Sequence, residues 1–315
     1  MRVLIVGLGI QGRKRLAIAG ADAVATVDPV QAGARYRSLC EVPLSSFDAA
    51  LVCTPDEPKI GLLEHLLESG KHVLVEKPLL ARDPEDLARL AALAEAHRVV
   101  CYTAYNHRFE PHFLRMKQLL DSGILGTVYL CRLFYGNGTA REVRNSEWRD
   151  AGAGVLPDLG SHLLDTAVYW FGAEGVASAR PAIWSADRFE NRAFDHVSFA
   201  IRGRPVLEME VTLLSWRNHF TCDVFGEHGS AHIESLCKWG PSTFTRRTRV
   251  LPSGRPPEEA LTLVQPDPTW ALEYAHFKQL CAAGEGGTLS TDRLINGWLA
   301  DLADQALAAG GAQSA

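Results

Sequence analysis

Gly7-Leu8-Gly9-Ile10-Gln11-Gly12 follows directly on the apolar run Val3–Val6 and opens an amphipathic stretch, Gln11–Ala19. No other segment narrows the fold as far. A G-x-G-x-x-G at a strand-to-helix junction gives each glycine a task. The first permits the tight turn, the second lets backbone approach a pyrophosphate, and the third allows helix and strand to pack closely. The helix N-terminus then presents free N–H groups and a partial positive charge to the phosphates. Gly7, Gly9, Ile10, Gln11 and Gly12 are therefore candidate cofactor contacts. Asp28 closes the next apolar run, 21 residues after Gly7, where an acidic side chain accepts hydrogen bonds from an adenosine ribose and disfavours a 2′-phosphate. This favours NAD, while Arg35 and Arg37 lie near enough in sequence to keep NADP open.

The same rhythm continues through the first half. Val3–Val6, Ala23–Val27, Ala49–Cys53, Val73–Val75 and Val99–Tyr102 read as short buried strands, and Gln11–Ala19, Pro58–Ser69 and Pro84–His97 as the helices between them. Such alternation predicts right-handed crossovers and a mostly parallel sheet. A helix with Phe109, Phe113, Met116, Leu119 and Leu120 on one stripe is expected to end at Asp121. After it the pattern changes to longer, alternating segments: Thr127–Tyr135, Ala179–Ser185, Val197–Arg202, Val206–Leu214 and Thr221–Phe225. These predict a large open, mainly antiparallel sheet. One helix is expected within this half, from about Leu156 to Phe171, and two more at Trp270–Ala282 and Asp292–Ala309. The polar stretch Gly240–Glu259 reads as exposed loop or edge strand. The expected division is thus an α/β cofactor domain over 1–121 and an α/β substrate-binding and oligomerisation domain over 122–315, with the C-terminal helices free to pack back on the first.

Composition sets outer limits. The 315 residues are 47% hydrophobic and 22% charged, with 32 Lys plus Arg against 37 Asp plus Glu, a net charge of −5. That balance gives no electrostatic reason to expect a nucleic acid or an anionic membrane as partner. Seven cysteines stand singly without a C-x-x-C pair, which reads as reduced thiols in a cytoplasmic protein. The first apolar run is too short to span a bilayer and no small-residue cleavage site follows it, so neither membrane span nor signal peptide is expected. No H-E-x-x-H or comparable spacing appears, and no metal site is expected.

Two further segments carry chemistry. Glu76-Lys77-Pro78 follows the strand Val73–Val75 at its carboxyl end, where ligands of open α/β sheets bind. A lysine there is well placed for proton transfer, although a lysine after a strand, taken alone, is usually a solvated surface residue. In Asp158-Leu159-Gly160-Ser161-His162-Leu163-Leu164-Asp165, Asp158 and His162 are spaced i, i+4 and share a helical face. Asp165 lies three residues further and is placed to orient the imidazole. The same segment also reads as a capping aspartate beside a structurally satisfied histidine.

Together these pieces resemble the glucose–fructose oxidoreductase / inositol dehydrogenase (Gfo/Idh/MocA) family. The resemblance runs through the glycine turn, Cys53-Thr54-Pro55, Gly70–Pro78, Tyr105–Pro111, Gly123–Gly126, Trp148-Arg149 and Asp158–Asp165. It implies a Rossmann domain followed by an α/β domain on a large open sheet, with the active site between them. It implies hydride transfer between NAD(P) and a secondary alcohol or ketone of a sugar, cyclitol or nucleotide-linked sugar. Lys77 and His162 become the acid/base pair and Asp158 the holder of a substrate hydroxyl. Thr54, Pro55, Glu76 and Asn106 would line the nicotinamide end, and Trp148 and Arg149 would come from a loop closing over cofactor or substrate. Tyr105, Arg108, Arg149 and Asp165 fall on the substrate side. A homodimer or homotetramer is expected from the broad second sheet. Two other readings stay open: a regulator that senses NAD or a sugar without turnover, and an oxidoreductase that keeps its cofactor. The chain also departs from the family. The stretch between Asp28 and Asp48 is short, and where a histidine often follows Thr-Pro it has Asp56-Glu57-Pro58-Lys59.

Overall fold

The computed structural model describes residues 1–177 and 179–312. They form two compact units, Met1–Asn106 with Pro268–Asn296, and His107–Asp267 with the chain from Gly297 onward.

In the first unit, β1 (Val3–Val6), β2 (Ala23–Val27), β3 (Ala49–Val52), β4 (His72–Glu76) and β5 (Cys101–Ala104) form a parallel sheet in the order β2-β1-β3-β4-β5. Side chains alternate across a strand, and both faces of the inner strands are covered, which is why the sheet is written mostly in apolar residues. Leu4, Val6, Ala50, Val52, Val73 and Val75 meet Leu63, Leu66 and Leu67 of α2 (Lys59–Glu68) and Leu87 and Leu90 of α3 (Pro84–His97). Val3, Ile5, Ala49, Leu51 and Leu74 face the other way and meet Ala19, Tyr274 and Phe277. The last two belong to the helix Thr269–Ala283. A helix some 250 residues distant in sequence thus closes the face that the helix Ile10–Ala19 only partly covers. Between β2 and β3 there is no α-helix, only 3-10 turns at Leu39–Glu41 and Leu44–Ser46 and a bridge from Val27 to Tyr36.

The second unit holds eight strands in the order β13-β12-β11-β10-β6-β9-β8-β7. They are β6 (Val128–Gly136), β7 (Pro181–Asp187), β8 (His196–Arg202), β9 (Val206–Thr212), β10 (His219–Gly226), β11 (Gly229–Glu234), β12 (Ser242–Thr248) and β13 (Glu258–Leu263). Every pair is antiparallel except β6 with β9. One face is apolar, with Cys131, Leu133, Phe199, Met209, Phe220 and Val224 all buried. Phe113, from the helix Pro111–Asp121, packs on Phe220 and on Trp170 of the helix Ser161–Phe171, with ring centroids 5.1 Å apart in both cases. Burying each such side chain contributes about 1.5–3 kcal/mol. The opposite face carries Arg132, Phe134, Trp184 and Glu208.

The structure refines the sequence reading at three places. The helix Pro111–Asp121, placed with the first domain on its sequence position, belongs to the second unit through Phe113, while the helix Thr269–Ala283 belongs to the first, as the C-terminal helices were expected free to do. The polar stretch 240–259, read as exposed loop or edge strand, contains β12 and the start of the edge strand β13, stitched by Arg246–Glu259 and Arg247–Glu258 ion pairs. The helix expected over 156–171 opens with a π-helical turn, Leu156–Gly160.

Candidate functional site

The sheet order of the first unit reverses between β1 and β3, and ligands of doubly wound sheets bind outside the strand carboxyl ends at such a point. The glycine turn leaves β1 there, and Cys53-Thr54-Pro55 leaves β3. At Gly7 φ is +91°, and an added Cβ would stand 2.7 Å from the Cys53 carbonyl oxygen. At Gly12 a Cβ would stand 1.8 Å from the Gly7 oxygen. Gly9 instead faces open space, with nothing within 4 Å of a Cβ. The helix begun by Gly9 has no side-chain cap, so the N–H groups of its first turn are left for a ligand.

Asp28 ends β2 and is buried. Its carboxylate accepts from Leu8 N at 2.7 Å, inside the glycine turn, and from Val30 N and Gln31 N at 2.8 Å each. Burial works to raise its pKa, but the N–H groups of Gln31, Leu8 and Val30 and the nearby Arg37 outweigh it and hold the group below the usual carboxylate range. Arg37 donates to the Gln31 carbonyl at 2.9 Å, Arg13 reaches the Gln31 side chain at 3.1 Å, and Arg35 lies over the Tyr36 ring. The adenosine-side loop is thus one carboxylate fenced by arginines.

Glu76 and Lys77 stand at the carboxyl end of β4. Glu76 accepts from Arg15 Nε at 2.7 Å, and Arg15 also donates to Glu273 at 2.7 Å. This buried set is backed by Trp270, whose ring centroid is 4.3 Å from the Arg15 guanidinium. Asn106 donates to Thr269 Oγ1 at 2.8 Å. Thr54 Oγ1 is buried and has no partner among the described residues, whereas Pro55 is exposed. A Cβ-sized opening at Gly9, an uncapped helix terminus, a β2 carboxylate and an orphan hydroxyl on Thr54 together fit a dinucleotide.

In the second unit His162 is 6% exposed and stacks on His107, ring centroids 4.0 Å apart at 21°. Tyr135 closes the stack, edge-on to His162 at 5.8 Å and tilted against His107 at 5.3 Å. Burial first, then the charges of Asp158 and Glu110, push the Tyr135 phenol up, so it stays protonated. Lys238 Nζ lies 3.4 Å from His107 Nε2 and 4.8 Å from the Trp239 ring centroid. Trp239 with Arg217, His219 and Glu234 lines a cleft of about 620 Å³.

Of the two carboxylates expected beside His162, Asp158 stands in the π turn and pairs with Arg149 at 3.7 Å. The Asp165 carboxylate does not turn to His162: it takes a forked bond from Arg108 Nε, at 3.1 and 2.9 Å, and is 1% exposed. Tyr105 is likewise buried, 1% exposed. Trp148 is 73% exposed. His107, Tyr135, Lys238 and Trp239 carried no assigned role in the sequence reading. His107 was within reach of it, lying between Asn106 and Arg108, but nothing local marks the others. One set of potential metal ligands comes together among the described residues, Glu110, Cys237 and Asp267, with ligand atoms within 4.8 Å of one another. Cys237 N donates to Glu110 at 3.1 Å, and burial pushes the Glu110 carboxyl up.

Fold and glycine turn define a dinucleotide-binding protein built on a parallel-sheet unit. Family comparison agrees: residues 1–105 match the model of the oxidoreductase family with an NAD-binding Rossmann fold, and residues 113–232 match the GFO/IDH/MocA C-terminal domain. The chain belongs to the Gfo/Idh/MocA oxidoreductase family, and its first unit is an NAD-binding Rossmann domain. It is 33% identical over 237 residues to inositol 2-dehydrogenase 1 of Saccharopolyspora erythraea, covering 74% of this chain and 66% of that protein. It is 30% identical over 141 residues to the uncharacterized oxidoreductase YrbE of Bacillus subtilis, covering 44% of this chain and 39% of that one. The first curated relatives it matches are spanned for about half their length or less. Among solved structures, levoglucosan dehydrogenase in complex with NADH superposes with a TM-score of 0.81 at 18% identity, covering 97% of each chain. This shows a shared fold. No helix among the described residues is long and apolar enough to cross a membrane.

Proposed function

We propose that this chain transfers a hydride between NAD and the secondary alcohol or ketone carbon of a small polyhydroxylated substrate, a sugar, cyclitol or nucleotide-linked sugar. Relatives named inositol 2-dehydrogenase and levoglucosan dehydrogenase support the substrate class. The observation that carries the reading is the position of Lys77, at the end of β4 in the sheet whose β1 and β3 ends present the glycine turn and the orphan Thr54 hydroxyl. Bound nicotinamide supplies the hydride acceptor. The chain itself must remove the alcohol proton and steady the oxygen. His162 takes that proton, held in plane by the His107 stack and the Tyr135 edge. Lys77 hydrogen-bonds the same oxygen and offsets its developing charge; an exchange of the two roles is the alternative assignment. Asp158, half-exposed beside Arg149, binds a neighbouring hydroxyl. Thr54, Glu76 and Asn106 serve the nicotinamide end, and Trp148 closes from its exposed loop. Arg108 and Asp165, engaged with each other, fix the helix that carries His162. Asp28 selects NAD, and the Arg13, Arg35 and Arg37 fence leaves NADP a weaker alternative.

Seven free cysteines support a reducing, cytoplasmic compartment, and the exposed face of the eight-stranded sheet supports a homodimer or homotetramer. The test is NADH formation over a panel of polyols, sugars and nucleotide sugars. Turnover by the wild type is expected on at least one of them, lost in Lys77→Met and His162→Ala while NADH binding persists. No cofactor reduction on the whole panel, or wild-type turnover in both variants, would overturn the assignment.

A further inference from the structure

Lys59 opens α2 and is 2% exposed. Both facts count against a lysine: burial disfavours the ammonium, and the positive end of a helix repels it. A residue that breaks two local rules points to a function elsewhere in the fold. Its ammonium has three donors and no more, and all three are used. One goes to Asp56 Oδ1 at 2.7 Å, one to the Glu76 carbonyl at 2.8 Å and one to the Pro78 carbonyl at 2.9 Å. The two carbonyls belong to the residues on either side of Lys77. On the same segment, the Glu76 side chain is gripped by Arg15. Residue 77 therefore hangs between fixed points, and the point on each side is tied to one nitrogen atom.

We propose that Lys59 is a positioning residue for Lys77, an ammonium clamp that sets the backbone at the end of β4 and so the aim of the Lys77 side chain. This rests on the reading of Lys77 as a catalytic group. Three bonds diverging from one atom are what the task requires. A neutral imidazole has a single N–H and cannot hold both carbonyls, and a planar guanidinium cannot radiate three bonds from one centre. Burial pushes the Lys59 ammonium down first of all, and the charges of Asp56 and Glu76 oppose this while Lys77 adds to it. Lys77 is thus also an electrostatic neighbour of the clamp.

The test uses the full chain as wild type, Lys59→Met, Lys59→Gln and Asp56→Asn. The first readout is the rate at which Lys77 reacts with an amine reagent such as acetic anhydride, mapped by peptide mass spectrometry, with the surface lysines Lys117 and Lys278 as internal standards. It requires no substrate. The second is kcat and KM on whichever alcohol the wild type oxidises best, with NADH affinity from fluorescence. Lys59→Met is expected to change Lys77 labelling about threefold or more against the standards. It should lower kcat by about tenfold to a hundredfold, the scale of an ångström of misplacement, with NADH affinity within about threefold of wild type. Asp56→Asn, which keeps the carbonyl bonds and weakens one anchor, should shift labelling the same way but less. Unchanged Lys77 labelling in folded Lys59→Met overturns the clamp. If neither Lys59 variant folds, unchanged labelling in Asp56→Asn does so. A wild type that oxidises nothing defeats the catalytic reading, and the labelling arm still decides the clamp.

Discussion

Gly9 and Gly12 are three residues apart in one turn, yet they should fail in different ways when each is given a single methyl group. At Gly12 the new Cβ would sit 1.8 Å from the Gly7 oxygen and 2.8 Å from its carbonyl carbon. Real Cβ atoms essentially never approach within 3.0 Å, so helix or strand must retreat by at least 1.2 Å. Both sides of the clash are backbone, with no flexible side chain to give way. Overpacking of this kind costs about 1–3 kcal/mol, and the upper end applies here. The smaller unfolded-state entropy of alanine returns about 0.4–1 kcal/mol, leaving a net loss of about 2 kcal/mol. At about 2–4 °C per kcal/mol for a chain of this size, the melting temperature should fall by about 4–8 °C. At Gly9 φ is −65° and nothing lies within 4 Å, so alanine fits and stability should stay within about 1 kcal/mol. The methyl group instead occupies the space where phosphate would meet the backbone. Losing one charge-assisted bond there, about 1.5–3 kcal/mol, raises the NADH dissociation constant about ten- to a hundredfold. Thermal unfolding and fluorescence titration of both variants separate the two effects. If Gly9→Ala binds NADH like the wild type, or melts as early as Gly12→Ala, the assignment of glycine roles is refuted.

Three other perturbations have defined outcomes. Arg108→Met leaves the Asp165 carboxylate, already pushed up by burial, without its partner. Unfolding should become about 3 kcal/mol easier, and adding Asp165→Asn should recover more than half of that in a denaturant titration. Asp48 is held down to about 2 by Arg2 hydrogen bonds, against an ordinary 3.8. Its stabilisation is therefore complete above pH 3.8 and is lost as the pH falls toward 2. Because the pair is about half exposed, Asp48→Asn should remove well under 1 kcal/mol, seen as a flatter acid limb of stability against pH. Cys40 is exposed, burial pushes the Cys281 thiol up to about 12 and raises Cys53, and the other four thiols are buried. An aromatic disulfide reagent should find one fast thiol in the native protein, and none in Cys40→Ser.

The first unit was largely legible because parallel strands buried on both faces are written as continuous apolar runs; β1 and β2 match their sequence boundaries, and β5 shifts by two residues. What covers the sheet was legible only in outline, as C-terminal helices free to pack back on the first unit, and not in its side chains. Nothing around Tyr274 or Phe277 tells a helix near the chain's end that its apolar face belongs against Val3 and Ile5. β12 and β13 were legible only as one of two alternatives, exposed loop or edge strand. Arg246, Arg247, Glu258 and Glu259 look like a solvated loop until the register sets them opposite one another, where cross-strand charge pairs support an edge. In the site, the glycine turn, Asp28, Lys77 and His162 announce themselves by motif. The His107 stack and the Lys238, Tyr135 and Trp239 wall do not, because ring stacking is set by tertiary placement and leaves no spacing in the chain. The Asp158–His162 spacing was read as plain α-helix, and the π turn at Leu156–Gly160 is a feature that spacing alone does not reveal.

The central claim is that this chain oxidises an alcohol carbon with Lys77 and His162 managing the proton. Its most direct test is transfer of deuterium from a substrate labelled at the carbinol carbon, the substrate being the best from the polyol and sugar panel. The NADH formed is examined by mass spectrometry, in the wild type and in a Lys77→Met, His162→Ala double variant. The account predicts singly deuterated NADH from the wild type and none above background from the double variant, with NADH dissociation constants for the two within about threefold. Deuterated NADH formed by the double variant at the wild-type rate would contradict it.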